Sequence, residues 1–209
     1  LDPQSRRQLW NVLTRFRDSH SDEHLGFIGT RSNRGATTLG LELRVLNAAL
    51  VNFHIPHLDP THVSRIADLL GHKSPLPVVE ITNGMQVKEN TIYVLPANAS
   101  VVIEGTRLRL KLRETRSIPM PVDLFFRSLA VTQQNRAIGI VLSGTGTDGT
   151  LGLEEIKGQG GLTFAQDKGT AKYFGMPGSA VAAGVVDFVL SPESMAKELE
   201  RLMDHPYVG

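Results

Sequence analysis

Residues 137–150 read AIGIVLSGTGTDGT. Ala137 to Ser143 carry no charge and no polar alternation, the pattern of a strand buried on both faces of a sheet. Glycines and hydroxyl residues follow at once, and residues 149–158 behind them have helical spacing. A buried strand, a glycine-rich turn and a helix in that order make one unit of an α/β fold. Further strands are expected at 25–29, 49–54, 78–81, 91–95, 99–103, 107–113, 161–165 and 186–190, with the run above giving 137–143. Helices are expected at 36–48, 61–71, 121–134, 149–158, 177–183 and 192–203, the last with Ser191 as N-cap and Pro192 at its first position. Alternation of strand and helix at both ends implies right-handed crossovers and a largely parallel sheet. The stretch 78–116 holds strands without a helix and reads as an antiparallel meander. A first helix over 2–18, opened by Asp2 and Pro3, and a polar linker through residue 24 precede this body.

The composition narrows the function classes. Of 209 residues, 41% are hydrophobic and 21% charged, a globular balance. The net charge of +1 gives no global field toward nucleic acid, and no apolar run is long enough to insert into a membrane. Zero cysteines remove disulfides, thiolate metal sites and a cysteine nucleophile. They also fit a cytoplasmic location, as does an N-terminus without the apolar core of a signal peptide. The chain does not begin with Met and reads as a piece of a longer protein.

In open α/β sheets, ligands bind beyond the carboxyl ends of the strands. Three such ends carry polar groups: GTRSNRG (29–35), HIPHLDPTH (54–62) and SGTGTDGT (143–150). They allow a hydroxyl, an imidazole and a carboxylate, from Ser32, His57 and Asp148, to converge. That set is the minimum for acyl transfer, in which the hydroxyl attacks, histidine takes and returns the proton, and the carboxylate orients the ring. Gly144-x-Gly146-x-x-Gly149 offers a rival, since it follows a strand and opens a helix as a dinucleotide fingerprint does, with Asp167 ending the next strand. Asp148 argues against it, because it puts a carboxylate where a pyrophosphate should lie. His54 and His62 flank His57 but bring no carboxylate cluster for a metal. In RLRLKLR (107–113), Arg107, Arg109, Lys111 and Arg113 share one face and the leucines the other. That strand is either a solvated edge guarded by cations or a docking face for an acidic helix.

Longer stretches carry a family resemblance. FIG (27–29), PHLDPTH (56–62), PVVEITNGMQVKENTIYVLPAN (77–98), PVDLFFRSLA (121–130), AIGIVLSGTGTDGTLGLEEIKGQGGLTFAQD (137–167) and FGMPGSAVAAGVVDFVL (174–190) follow one another in order. Together they resemble the catalytic domain of the chemotaxis protein-glutamate methylesterases, the CheB family, and look closest to versions fused to a methyltransferase domain. The resemblance implies an α/β fold, a doubly wound, mainly parallel sheet with an antiparallel hairpin extension. It divides the chain into an N-terminal helix and linker (1–24), the methylesterase-like domain (25–204) and a tail (205–209). It matches His57 to the family's catalytic histidine and Asp148 to its aspartate. It implies hydrolysis of glutamate methyl esters on a methylated chemoreceptor-type protein, with no cofactor and no metal. Methyltransferase and sensory domains are the expected fused or associated partners, within phosphorelay signalling. The 209 residues leave no room for the receiver domain that gates stand-alone members.

The departure lies at the nucleophile. The family has Gly-Ala-Ser, a small residue and two glycines, where this chain has Gly29, Thr30, Arg31, Ser32, Asn33 and Arg34. Register from Gly29 puts Arg31 at the nucleophile position and Ser32 one residue beyond it. Arginine stays protonated and cannot attack. Thr145 stands where many members have Met, a change the fused versions share. Two readings follow: an ester hydrolase with Ser32 as a displaced nucleophile, or an inactive binding or regulatory module that keeps the methylesterase fold.

Overall fold

A computed structural model describes residues 25–31, 51–57, 77–88, 91–96, 99–112 and 120–203. The helices expected at 2–18, 36–48 and 61–71, the linker through residue 24 and the tail 205–209 lie outside the described residues, as do Ser32 and His62. Strands β1 (Leu25–Arg31), β2 (Val51–His57), β3 (Val78–Glu80), β4 (Thr91–Val94), β7 (Ala137–Val141), β8 (Leu162–Gln166) and β9 (Phe188–Leu190) form one sheet in the order β3-β4-β2-β1-β7-β8-β9. Every neighbouring pair in it is parallel. Strands β5 (Ala99–Glu104) and β6 (Arg107–Leu112) make a separate antiparallel hairpin. The helices are α1 (Pro121–Gln133), α2 (Thr150–Gly158), α3 (Gly175–Ala182) and α4 (Pro192–Met203).

The sheet order reverses between β1 and β7. From β1 the chain builds outward through β2 and β4 on one side, and from β7 through β8 and β9 on the other. Such a reversal opens a crevice beyond the carboxyl ends of the two strands at the switch. The loop 142–149 therefore enters the sheet's functional edge by topology, and so does the end of β1.

Strand β7 is buried at every position, as a central parallel strand requires. Helix α1 packs on the hairpin and on α2. Phe125, Phe126, Leu129, Val122, Ile103, Leu108 and Leu153 join Tyr93 and Val141 in one core. The hairpin is tied to α1 by polar bonds as well: the Ile103 N–H donates to Ser128 Oγ (3.0 Å), and the Thr132 hydroxyl donates toward Ile103 O (3.3 Å). Ser191 caps α4 as its sequence implies, accepting from the Ser194 N–H at 3.2 Å, with Pro192 opening the helix.

The meander expected over 78–116 is corrected. Strands β3 and β4 pair in parallel within the main sheet, and only β5 and β6 run antiparallel. The residues of β4 are buried at every position, so they carry no alternation and belong with the central strands. Alternation is confined to β6, where Leu108 is buried while Arg107, Arg109 and Lys111 are exposed. The strand ends near the switch also differ from expectation. Strand β1 runs on through Thr30 and Arg31, and β2 through Ile55, Pro56 and His57.

At the far side, Asp187 accepts from Lys157 Nζ (2.7 Å), the Thr163 N–H (3.0 Å) and the Thr163 hydroxyl (2.8 Å). Burial raises its carboxyl, but the bonds from Lys157 and Thr163 outweigh that and hold it below its ordinary value. A depressed carboxyl stabilises the fold above the unfolded pKa and loses that contribution as pH falls through the folded one. Asp187→Asn is expected to lower stability at neutral pH by about 0.5–1 kcal/mol, the ion pair being partly exposed. In urea melts the variant and wild type should converge as the pH drops below the ordinary carboxylate range.

Candidate functional site

The site is built on the switch between β1 and β7. Parallel register sets Arg31, the last residue of β1, opposite His57, the last residue of β2. On the other side, Gly29 pairs with Val141, from which the chain leaves β7 into the glycine-rich loop. The end of β1 thus lies between the end of β2 and the loop that carries Asp148. His57 and Asp148 do not belong to adjacent strands, since β1 separates them. With strands about 4.8 Å apart, the axes of β2 and β7 are about 10 Å apart.

Residues 143–149 are held from two directions. Ser143 is fully buried, its N–H donating to Gln166 Oε1 (2.8 Å) and its Oγ accepting from the Tyr173 N–H (2.9 Å). Gly144 bonds through its N–H to Tyr173 O and through its carbonyl to the Met176 N–H, both at 2.9 Å. These bonds lay the loop against the start of α3. Gly146 (φ +85°) and Gly149 (φ +95°) turn the chain through the left-handed region that side chains avoid. A Cβ on Gly149 would also sit 3.0 Å from Val141 Cγ2 and 3.1 Å from Val122 Cγ1.

Between these glycines stands Asp148, fully buried. Its Oδ1 accepts from the Asp123 N–H at 2.9 Å and its Oδ2 from the Val122 N–H at 3.3 Å, the first amides of α1. A carboxylate at a helix N-terminus takes up orphan donors and faces the positive end of the helix. Asp123 repeats the device in the opposite direction: its Oδ1 accepts from the Gly152 N–H, in the first turn of α2, at 2.8 Å. Burial raises the Asp123 carboxyl above its ordinary value, although backbone N–H groups of Gly152, Gly149 and Leu151 and the charge of Arg127 pull the other way.

This arrangement bears on the dinucleotide fingerprint. A pyrophosphate would need the N–H groups that open α2, and Asp123 already occupies one of them. The competing carboxylate comes from Asp123, while Asp148 serves α1. Asp167 follows β8 in a local turn, accepting from the Thr170 N–H (3.0 Å) and hydroxyl (2.6 Å). Among the described residues no three His, Cys, Asp or Glu side chains gather as a metal site. Sequence reasoning missed Asp123; its signal was an acid in the first turn of a helix opened by Pro121.

Residues 39–199 match the family model described as CheB methylesterase. The chain belongs to the CheB methylesterase family. The match begins past residues 29–35, where the sequence departs from the family pattern. Over 168 residues the CheB-family chain is 30% identical to a protein-glutamate methylesterase/protein-glutamine glutaminase of Trichodesmium erythraeum, covering 76% of this chain and 48% of that protein. Over 197 residues it is 30% identical to another of Bordetella avium, covering 92% of this chain and 57% of that protein. It is also 36% identical over 145 residues to an uncharacterized 104.1 kDa protein of Rhodobacter capsulatus, covering 69% of this chain but 15% of that protein. The chain thus spans little more than half of these relatives at most. The crystal structure of the Thermotoga maritima CheB methylesterase catalytic domain superposes with a TM-score of 0.69 at 24% identity, over 87% of this chain and 99% of that one, and bears out the fold.

Proposed function

We propose that this CheB-family domain keeps the acid–base half of a glutamate methylesterase site and has lost the nucleophile from its usual place. One observation carries the reading: Arg31, in the register of the family's serine, ends β1 directly opposite His57 at the end of β2. In the working reaction a serine hydroxyl attacks the ester carbonyl. His57 takes its proton and returns it to the leaving methanol, Asp148 holds the imidazole, and water then hydrolyses the acyl-enzyme. A guanidinium offers no lone pair for attack, and a cation close to His57 would disfavour the imidazolium that must form. The domain is then a binding or regulatory module on methylated chemoreceptor-type proteins, with esterase activity reduced to a residue. Cytoplasmic placement, and fused or associated methyltransferase and sensory domains, belong to the same reading. Among the described residues no helix is long and apolar enough to cross a membrane.

A second reading rests on Ser32. It follows Arg31 directly in sequence, and this reading requires that the chain through Asn33 and Arg34, which replace the family's glycines, bring its hydroxyl to His57. The test is methanol release from a methylated receptor fragment, comparing wild type, Ser32→Ala and His57→Ala. Slow release that Ser32→Ala leaves unchanged supports the first reading.

The exposed cations of β6 contribute little to docking. Arg107 Nη1 donates to Gly84 O (3.1 Å), and Arg109 Nε pairs with Glu104 Oε2 at 3.4 Å, so two of them already have local partners. Exposed pairs contribute about 0–1 kcal/mol each, so losing two of them through Arg109→Glu with Lys111→Glu should weaken receptor-fragment binding by roughly thirtyfold at most. Titrations at low and high salt check this; a much larger, salt-sensitive loss would make β6 the docking face.

A further inference from the structure

The mutual capping of α1 and α2 has two halves, and the family reaction uses only one. Asp148 accepts from the Val122 and Asp123 amides, and Asp123 sends its own carboxyl to the Gly152 amide, four residues beyond Asp148. The chain between them, Gly149 to Leu151, has little slack. Gly149 holds φ +95°, with Val122 and Val141 filling the space a side chain would take, and a Cβ on Gly152 would fall 2.4 Å from Phe126 Cβ. Backbone and carboxyl of Asp123 therefore grip the segment 148–152 at both ends.

We propose that Asp123 is a positioning residue: its Oδ1, by holding the first turn of α2, fixes the turn through Gly149 and so aims the Asp148 carboxylate. The inference rests on reading Asp148 as the acid that orients His57. Asp123 is 5% exposed, and its Oδ2 has no hydrogen-bond partner among the described residues. One oxygen thus does the holding and the other makes no hydrogen bond. The role needs an acceptor at Oδ1 and no negative charge, in keeping with a carboxyl that burial pushes toward its neutral form. An amide keeps that acceptor; a methyl group does not.

The test compares Asp123→Asn and Asp123→Ala with wild type by amide hydrogen exchange and by nitrogen NMR of the His57 ring. Exchange is corrected for intrinsic rates and referred to the Phe126 and Leu129 amides deeper in α1. In Asp123→Ala the amides of residues 122 and 123 should exchange about tenfold faster than that reference predicts, a local opening rather than a global one. Asp123→Asn should match wild type, which an effect of charge on the α1 dipole would not allow. If Asp123→Ala does not fold, Asp123→Ser, whose hydroxyl is too short to reach Gly152, is measured in its place. Unchanged protection in a folded Ala or Ser variant overturns the proposal, and so does loss of protection in Asp123→Asn. The ring signal separates the two claims. With Asp148 aimed at it, His57 holds its proton on Nδ1, and both Asp148→Asn and Asp123→Ala should mix the tautomers. If Asp148→Asn leaves the tautomer unmoved, the role of Asp148 toward His57 fails, and the exchange data still decide the clamp.

Discussion

Arg31→Ser should raise methyl-ester hydrolysis above the wild-type rate, and adding Asn33→Gly and Arg34→Gly should raise it further. Sites stripped of one triad member retain about 10³–10⁴-fold acceleration over water, from oxyanion donors and substrate binding. The wild-type domain is expected in that regime. The single substitution removes a cation and supplies a hydroxyl at the end of β1, opposite His57. Residues 33 and 34 would still withhold the backbone freedom that two glycines give a strand-to-helix turn. Gains of roughly tenfold for the single variant and a hundredfold or more for the triple lie within what loss of a triad nucleophile removes. Methanol release from a methylated receptor fragment measures both, with His57→Ala in each background as the control. Equal rates across the series would show that position 31 is not the nucleophile position.

Gly152→Ala should be among the most damaging single-methyl changes in the domain. The added Cβ would lie 2.4 Å from Phe126 Cβ and 3.0 Å from its Cδ2. The nearest atom is a Cβ fixed to the backbone of α1, so no rotation of the phenyl ring relieves the contact. Helices α1 and α2 must separate, which weakens both the shared core and the bond from the Gly152 amide to Asp123. Overpacking of this kind costs about 1–3 kcal/mol, occasionally more, and the upper part of that range is expected here. Phe126→Ala, which leaves the offending Cβ in place, should not rescue it. Urea unfolding of the two single variants and the double variant decides the matter. A loss below about 0.5 kcal/mol for Gly152→Ala, the level of an ordinary surface change, would mean that the helices are not held this closely.

Much of this architecture was legible in the residues. The uncharged run AIGIV marked β7, and Ser191 and Pro192 marked the start of α4, because caps and burial act over a few neighbouring residues. The carboxyl ends of β1 and β2 were read short. Thr30, Arg31 and Pro56 look like turn residues, yet parallel pairing carries both strands through them. Pairing partners were less legible still. Nothing local to VVE or TIYV says that β3 and β4 run parallel, since that follows from the crossover between them. The site divides along the same line. Asp148 stood out among glycines after a buried strand. Asp123 did not, because its partner Gly152 lies 29 residues away and only the packing of α1 on α2 brings them together.

The central claim is that the chain keeps the methylesterase fold while its nucleophile position holds Arg31. The most direct test is methanol release from a methylated receptor fragment by wild type and Ser32→Ala, side by side. Slow release by the wild type and the same slow release after Ser32→Ala are expected. Brisk wild-type turnover that Ser32→Ala abolishes would contradict the claim, and would make Ser32 the working nucleophile of an active esterase.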